Sequence, residues 1–220
     1  MIKTGIYGGT FSPIHLGHVA AALAFKEQAS LDELLIIPTF LPPHKMLKGD
    51  ANAQDRYNMC RLAFRNFGNC GIRVSDMEIK RGGNSYTYYT VKELSNPERE
   101  LYLLCGTDML LTFDEWFRFT DILSLVTLAY IRRENDCSLD QRIEQTKQGL
   151  INDFGARIIE IRVGNDTARS LGLKTLGNQP ANINISSTDI RRMVAAGTDI
   201  SGYVMPEVAD YIKEKKLYLK

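Results

Sequence analysis

Short runs of consecutive apolar residues recur along the chain, and most lead into a stretch whose apolar positions return at helical spacing. The first run, Ile2 to Tyr7, ends in Gly8 and Gly9, and an Ala-rich segment with good helix propensity begins at Gly17. Glu33 to Pro38 (ELLIIP) is a second run, stopped by proline, with the pattern of a strand buried on both faces. Helical spacing follows from Ala53 to Phe67, through Tyr57, Cys60, Ala63, Phe64 and Phe67. Ile72 to Ser75 predicts a strand, Tyr86 to Leu94 a helix before the Asn96-Pro97 turn, and Leu101 to Cys105 (LYLLC) another buried strand. After a further helical segment come a strand over Leu125 to Ile131, a helix capped by Ser138 and reaching Asp153, and a strand over Ala156 to Val163. Gly164 to Ala181, rich in Gly, Asn and small polar residues, shows no readable pattern. Ile183 to Ile185 leads into a helix starting at Ser186-Ser187-Thr188, and Pro206 to Lys216 predicts a last helix with Pro in its first turn.

Strands alternating with helices predict an α/β fold with a doubly wound, mostly parallel sheet and right-handed crossovers. Ligands of such sheets bind at the carboxyl ends of the strands, near a switch in strand order. The distinctive polar clusters of this chain all fall just after predicted strands, as a single site requires. No repeat, low-complexity tract or linker divides the sequence, so residues 1–220 are expected to form one domain.

Composition narrows the function. The chain has 220 residues, 44% of them apolar, and a formal net charge of +1, so no global electrostatic case exists for nucleic acid or an acidic membrane. The N-terminus lacks the pattern of a signal peptide, and no run approaches membrane-spanning length. Cys60, Cys70, Cys105 and Cys137 are widely spaced with no C-x-x-C pair, which fits thiols of a reducing compartment better than zinc ligands or a disulfide frame. A cytoplasmic protein is expected, and homo-oligomer formation stays open.

The candidate chemistry begins after the first strand. Gly8 and Gly9 are followed by Thr10, Phe11, Ser12, Pro13, Ile14, His15, Leu16, Gly17 and His18. Glycines let backbone N–H groups approach an anion closely, and a helix start adds unpaired N–H groups and the positive end of the dipole. His15 and His18, three apart at that helix start, can both donate to one anion. A tight turn followed by a capping histidine is the plainer alternative, but two of the chain's three histidines flank a glycine here. Polyphosphate binding is the stronger reading. A dehydrogenase-type G-x-G-x-x-G is absent, since Gly5, Gly8 and Gly9 have the wrong spacing.

Four further clusters follow later strands. Pro42 and Pro43 restrict the backbone before His44 and Lys45, fixing their reach, although many such loops are merely solvated. Ser85-Tyr86-Thr87 precedes a helix, which Ser85 is expected to cap. Gly106-Thr107-Asp108 is followed by Trp116 and Phe117; the carboxylate alone would be a helix cap and the aromatics a hydrophobic anchor. Ile185-Ser186-Ser187-Thr188-Asp189-Ile190-Arg191 offers hydroxyls and N–H groups at a helix start with a charged fork, or simply a capped helix.

GGTFSPIHLGH resembles the GGTFDPxHxGH signature of the HxGH nucleotidyltransferases, specifically the bacterial nicotinate mononucleotide adenylyltransferases, with Ser12 where Asp is common. ISSTDIR resembles that family's second signature, ISSTxIR, and PPHK and SYT have family counterparts. Tyr89 stands where the family often has an acidic residue and is given no role. The resemblance implies a Rossmann-like nucleotidyltransferase fold and adenylyl transfer from ATP to nicotinate mononucleotide, forming deamido-NAD and pyrophosphate. It implies His15, His18 and Arg191 as catalytic residues, and Gly8, Gly9, Thr10, Phe11, Ser186, Ser187 and Thr188 for ATP. Residues 183–220 would complete that ATP site. For the acceptor it implies His44, Lys45, Thr87 beside the pyridine ring, Asp108 on ribose hydroxyls, and Trp116 stacked on the ring with Phe117. Mg²⁺ is expected on the ATP phosphates, with no protein metal cage. Alternatives are another acceptor, such as nicotinamide mononucleotide or phosphopantetheine, or a nucleotide-binding regulator without catalysis.

Overall fold

Glu33–Pro38 is buried at every position, as a strand covered on both faces has to be. It is one of six parallel strands in a computed structural model that describes residues 1–43, 51–133, 139–163 and 185–219. The strands are β1 (Ile2–Gly9), β2 (Glu33–Pro38), β3 (Ile72–Val74), β4 (Arg99–Gly106), β5 (Val126–Arg133) and β6 (Arg157–Val163), in sheet order β3-β2-β1-β4-β5-β6. Every expected strand is present, and the sheet is parallel throughout. The strand ends differ where pairing overrides polarity: Arg99 and Glu100 join β4 because they lie opposite Ile2 and Lys3.

Nine α-helices connect and cover these strands among the described residues: α1 (Leu16–Gln28), α2 (Ala53–Phe64), α3 (Met77–Arg81), α4 (Thr87–Leu94), α5 (Thr107–Leu110), α6 (Phe119–Leu125), α7 (Asp140–Phe154), α8 (Ser187–Ala195) and α9 (Pro206–Glu214). Successive strand side chains point to opposite faces, so the core divides in two. Tyr7, Leu34, Ile36 and Leu104 pack under α1, α2, α8 and α9, whereas Ile6, Leu35, Ile37 and Leu103 pack under α4 to α7. α2 stops short of the expected Phe67, since Phe67 N–H turns back to Phe64 and a short 3₁₀ turn follows over Gly68–Cys70. Ser138 lies outside the described residues, as do Cys137 and Gly164 to Ala181.

Strand order reverses about β1 and β4: the chain progresses outward through β2 and β3 on one side, then through β5 and β6 on the other. The carboxyl ends of these two central strands therefore form the crevice in which such sheets bind ligands.

Candidate functional site

The turn after β1 is folded tightly over its own aromatic ring. A Cβ on Gly9 would stand 2.8 Å from the buried Phe11 ring, so a larger residue there would have to displace that ring. The turn delivers the chain to α1 with His15 at the N-cap and His18 three residues on. The two imidazoles lie against each other, centroids 3.6 Å apart and planes at 31°, and Phe11 meets His18 edge-on at 5.1 Å. The His15 backbone N–H donates to His18 Nδ1 at 3.3 Å. Nδ1 is thereby an acceptor, which assigns the imidazole proton to Nε2. The first turn of α1 contains no acidic residue, so its positive end is not neutralised from within.

The C-terminal segment closes onto this same turn. Arg191 Nη1 donates to the Ser12 carbonyl at 2.8 Å and Nη2 to the Thr188 hydroxyl at 3.1 Å. Ser187 donates to the Pro13 carbonyl at 2.9 Å, and the Leu16 N–H to the Tyr203 carbonyl at 2.8 Å. Ser12, buried where a carboxylate was the family expectation, meets the Tyr218 hydroxyl at 3.2 Å. Ser186 forms a capping box with Asp189, its hydroxyl accepting from Asp189 N–H at 3.2 Å. The two ends of the chain thus share one structure, some 175 residues apart in sequence but joined by direct hydrogen bonds.

Beside the turn opens a cavity of about 610 Å³. Gly8, Gly9, Thr10, Pro42, Pro43, Thr87, Trp116 and Phe117 all line it, whereas Phe11, His15, His18, Ser186, Ser187, Thr188 and Arg191 are not among the lining residues. Trp116 is half-buried and stacks on the fully buried Phe113, centroids 4.8 Å apart and planes at 29°. Phe117 is exposed and leans on Tyr86 at 4.8 Å. Ser85 does not cap α4, contrary to expectation: Tyr86 holds the N-cap position, and the Ser85 hydroxyl instead accepts the Phe40 N–H at 2.9 Å. That bond ties the loop after β2 to the entrance of α4, a link that a cap one residue earlier would forgo. Asp108, exposed in the first turn of α5, folds back over Gly106, where a Cβ would stand 2.6 Å from its Oδ1; it is not among the cavity-lining residues. His44 and Lys45 lie outside the described residues.

Two buried charged residues escape a reading based on motifs. Arg56 is wholly buried in α2; Nη1 donates to the Thr10 carbonyl at 2.9 Å and to Thr39 Oγ1 at 3.4 Å, while Nη2 donates to the Phe40 carbonyl at 3.0 Å. One guanidinium holds the turn after β1 and the loop after β2 together. Its signal was present in the sequence, because Arg56 shares the i, i+3, i+4, i+7 stripe with Met59, Cys60 and Ala63. Glu78, in the five-residue α3, lines the cavity and donates nothing to that pattern; its helix is too short to show a period. Burial pushes the Glu78 carboxyl up from its ordinary value, against the opposing pull of the Thr90 and Ser85 hydroxyls and the guanidinium groups of Arg81 and Arg56. Among the described residues, no group of three or more His, Cys, Asp or Glu side chains is placed to hold a metal ion.

Residues 6–193 match the model of the cytidylyltransferase-like family. A probable nicotinate-nucleotide adenylyltransferase of Desulfatibacillum aliphaticivorans is 36% identical over 220 residues, covering 99% of this chain and 100% of that protein. A probable nicotinate-nucleotide adenylyltransferase of Clostridium acetobutylicum is 34% identical over 221 residues, covering 100% of each. The solved Plasmodium falciparum nicotinic acid mononucleotide adenylyltransferase complexed with NaAD has the same fold, with a TM-score of 0.72 at 22% identity over 99% of this chain and 98% of that one.

Proposed function

The chain belongs to the cytidylyltransferase-like family, among its nicotinate-nucleotide adenylyltransferases, and from that premise we propose that it transfers the adenylyl group of ATP to nicotinate mononucleotide, giving deamido-NAD and pyrophosphate. The observation that carries this reading is one cavity lined both by Gly8, Gly9 and Thr10 of the turn that leads to the stacked His15–His18 pair and by Thr87, Trp116 and Phe117. A nucleotide phosphate against the glycine turn and a flat ring against Trp116 suit that lining.

The reaction makes one bond and breaks one. A phosphate oxygen of nicotinate mononucleotide attacks the α-phosphorus of ATP, the bond from that phosphorus to the bridging oxygen breaks, and pyrophosphate leaves with the electron pair. The nucleophile is already ionised, so the protein supplies no covalent nucleophile and no general base. What it supplies is in-line positioning and stabilisation of charge. His18, through Nε2–H, meets the α-phosphate as charge builds there. His15, Arg191, Ser187 and the backbone of Gly9 and Thr10 take the outer phosphates. Gly8, Phe11, Ser186 and Thr188 complete the ATP half, so residues 183–220 act with the N-terminal turn in one domain.

On the acceptor side, Trp116, Phe117 and Thr87 take the pyridine ring, Asp108 the ribose hydroxyls, and His44 and Lys45 the anionic groups. The phosphate oxygens of ATP are hard donors of the kind a divalent cation prefers, so a metal would arrive on the nucleotide. We assign Mg²⁺, which when bound neutralises charge on the phosphate oxygens. Among the described residues no helix is long and apolar enough to cross a membrane. We place the activity in the cytoplasm, with ATP and nicotinate mononucleotide as partners and neither nucleic acid nor membrane.

Pyrophosphate release from ATP, measured against a panel of acceptors, tests this assignment. Nicotinate mononucleotide should give the highest kcat/KM, above nicotinamide mononucleotide and phosphopantetheine. Faster release with phosphopantetheine would move the protein to another acceptor, and no release with any of them would make it a nucleotide-binding regulator.

A further inference from the structure

Glu78 lines the cavity yet has no part in the chemistry described so far. It is 5% exposed, and Thr90 donates its hydroxyl to Oε1 at 2.5 Å. Oε2 is buried and meets no partner in hydrogen-bonding geometry among the described residues, although the Ser85 hydroxyl, which accepts the Phe40 N–H, stands near enough to favour the carboxylate. Arg81, the cation next to it in α3, is engaged elsewhere: Nη1 donates to Thr90 at 3.2 Å, and Nη2 pairs with Glu93 at 2.8 Å. Arg56 directs its terminal nitrogens to Thr10, Thr39 and Phe40. A buried carboxyl oxygen left without a partner is costly. Such a group in a cavity wall is explained when the ligand supplies what is missing.

The surroundings say which charge would suit. Trp116, Tyr86 and Phe117 present aromatic surface to the cavity, Ile6 and Leu103 present aliphatic surface, and a second carboxylate, the exposed Glu115, also lines it, so that Glu78 is the buried one of two. A buried carboxyl in the wall of a cavity that aromatic rings also line favours a flat cation: the π-faces attract positive charge, and a low local dielectric strengthens its attraction to a carboxylate. With nicotinate mononucleotide as the acceptor, as proposed above, we infer that Glu78 is the counter-charge to the cationic pyridinium ring. The ring nitrogen, bonded to ribose, is quaternary and keeps its charge at any pH. In the empty cavity burial favours the protonated Glu78 carboxyl; a fixed cation beside it favours the carboxylate. The acid and amide forms of the nucleotide carry the same ring charge, so Glu78 distinguishes charged from uncharged rings and leaves the choice between acid and amide to other groups.

Trp116 is the only Trp, and its fluorescence reports occupancy without turnover. The test titrates the wild type and Glu78→Gln with nicotinate mononucleotide and with its 1,4-dihydro form, whose ring is neutral while its carboxylate and phosphate are unchanged. The wild type should bind the pyridinium form at least about tenfold more tightly, and in Glu78→Gln that ratio should fall below about threefold. Glutamine still accepts from Thr90, so a role confined to holding Thr90 would leave the ratio intact. So would a protonated Glu78 that donates to the nicotinate carboxylate, because glutamine also donates. A ratio that survives in Glu78→Gln, or a wild type that binds both forms equally, overturns the inference while leaving the acceptor assignment in place. A wild type that binds neither form contradicts the acceptor assignment itself and the inference with it. Glu78→Met, which removes the buried carboxyl altogether, serves if Glu78→Gln does not fold.

Discussion

At the scale of single residues, His15 and His18 have different stations. His15 is 3% exposed and caps α1, whereas His18 is half-buried and one turn further in, with Nδ1 fixed by the His15 N–H. A single fixed donor acts most where charge develops. His18→Ala should lower turnover by about two orders of magnitude, with little change in the ATP Michaelis constant. Weaker ATP binding at unchanged turnover, in steady-state kinetics, would move His18 to ground-state binding. The spacing of these histidines behind two glycines was legible because it is local: three residues at a helix start fix where the rings can go. Ser12 was not legible. Its hydroxyl meets Tyr218, 206 positions away, and no local pattern encodes that contact.

Among elements, the inner strands were readable because each carries an apolar run buried on both sides, whereas the edge strands β3 and β6 show only short apolar stretches interrupted by the exposed Arg73 and Arg162. Strand ends were less readable, since β4 recruits Arg99 and Glu100 by pairing with β1 rather than by their own preference. α3 was missed: five residues cannot show a helical period, and it carries the buried Glu78. Ser85 misled because a serine before a helix usually caps it, whereas here its hydroxyl braces Phe40. α2 has the clearest mechanical role, since its Arg56 clamps Thr10 and Phe40 with two arms of one planar group. Lysine keeps the charge but not the fork. Arg56→Lys should therefore fold with a lowered thermal midpoint and lose about two orders of magnitude in turnover, the scale of misplacing reacting groups by about 1 Å. Folded Arg56→Lys turning over at the wild-type rate would show that the clamp serves stability alone.

Over the whole molecule, the parallel α/β architecture follows from the alternation of elements, but the order of strands does not. Pairing partners are set by the global topology: β1 lies next to β4, while β3 pairs only with β2 at the sheet edge. That order creates the crevice. It also explains why two motifs at opposite ends of the chain belong together: Arg191 and Ser187 hydrogen-bond the carbonyls of Ser12 and Pro13, and α9 packs on α2 through Tyr211, which donates to Asp55 at 2.9 Å and accepts from Asn58 at 3.0 Å. The central claim is that bond cleavage occurs at the α-phosphorus, with the adenylyl group passing to the acceptor phosphate. Incubation with ATP labelled at the α-phosphate and nicotinate mononucleotide measures this directly. The account predicts that the label appears in deamido-NAD and that the pyrophosphate released is unlabelled; label confined to AMP, or transfer of an unlabelled outer phosphate to the acceptor, would contradict it.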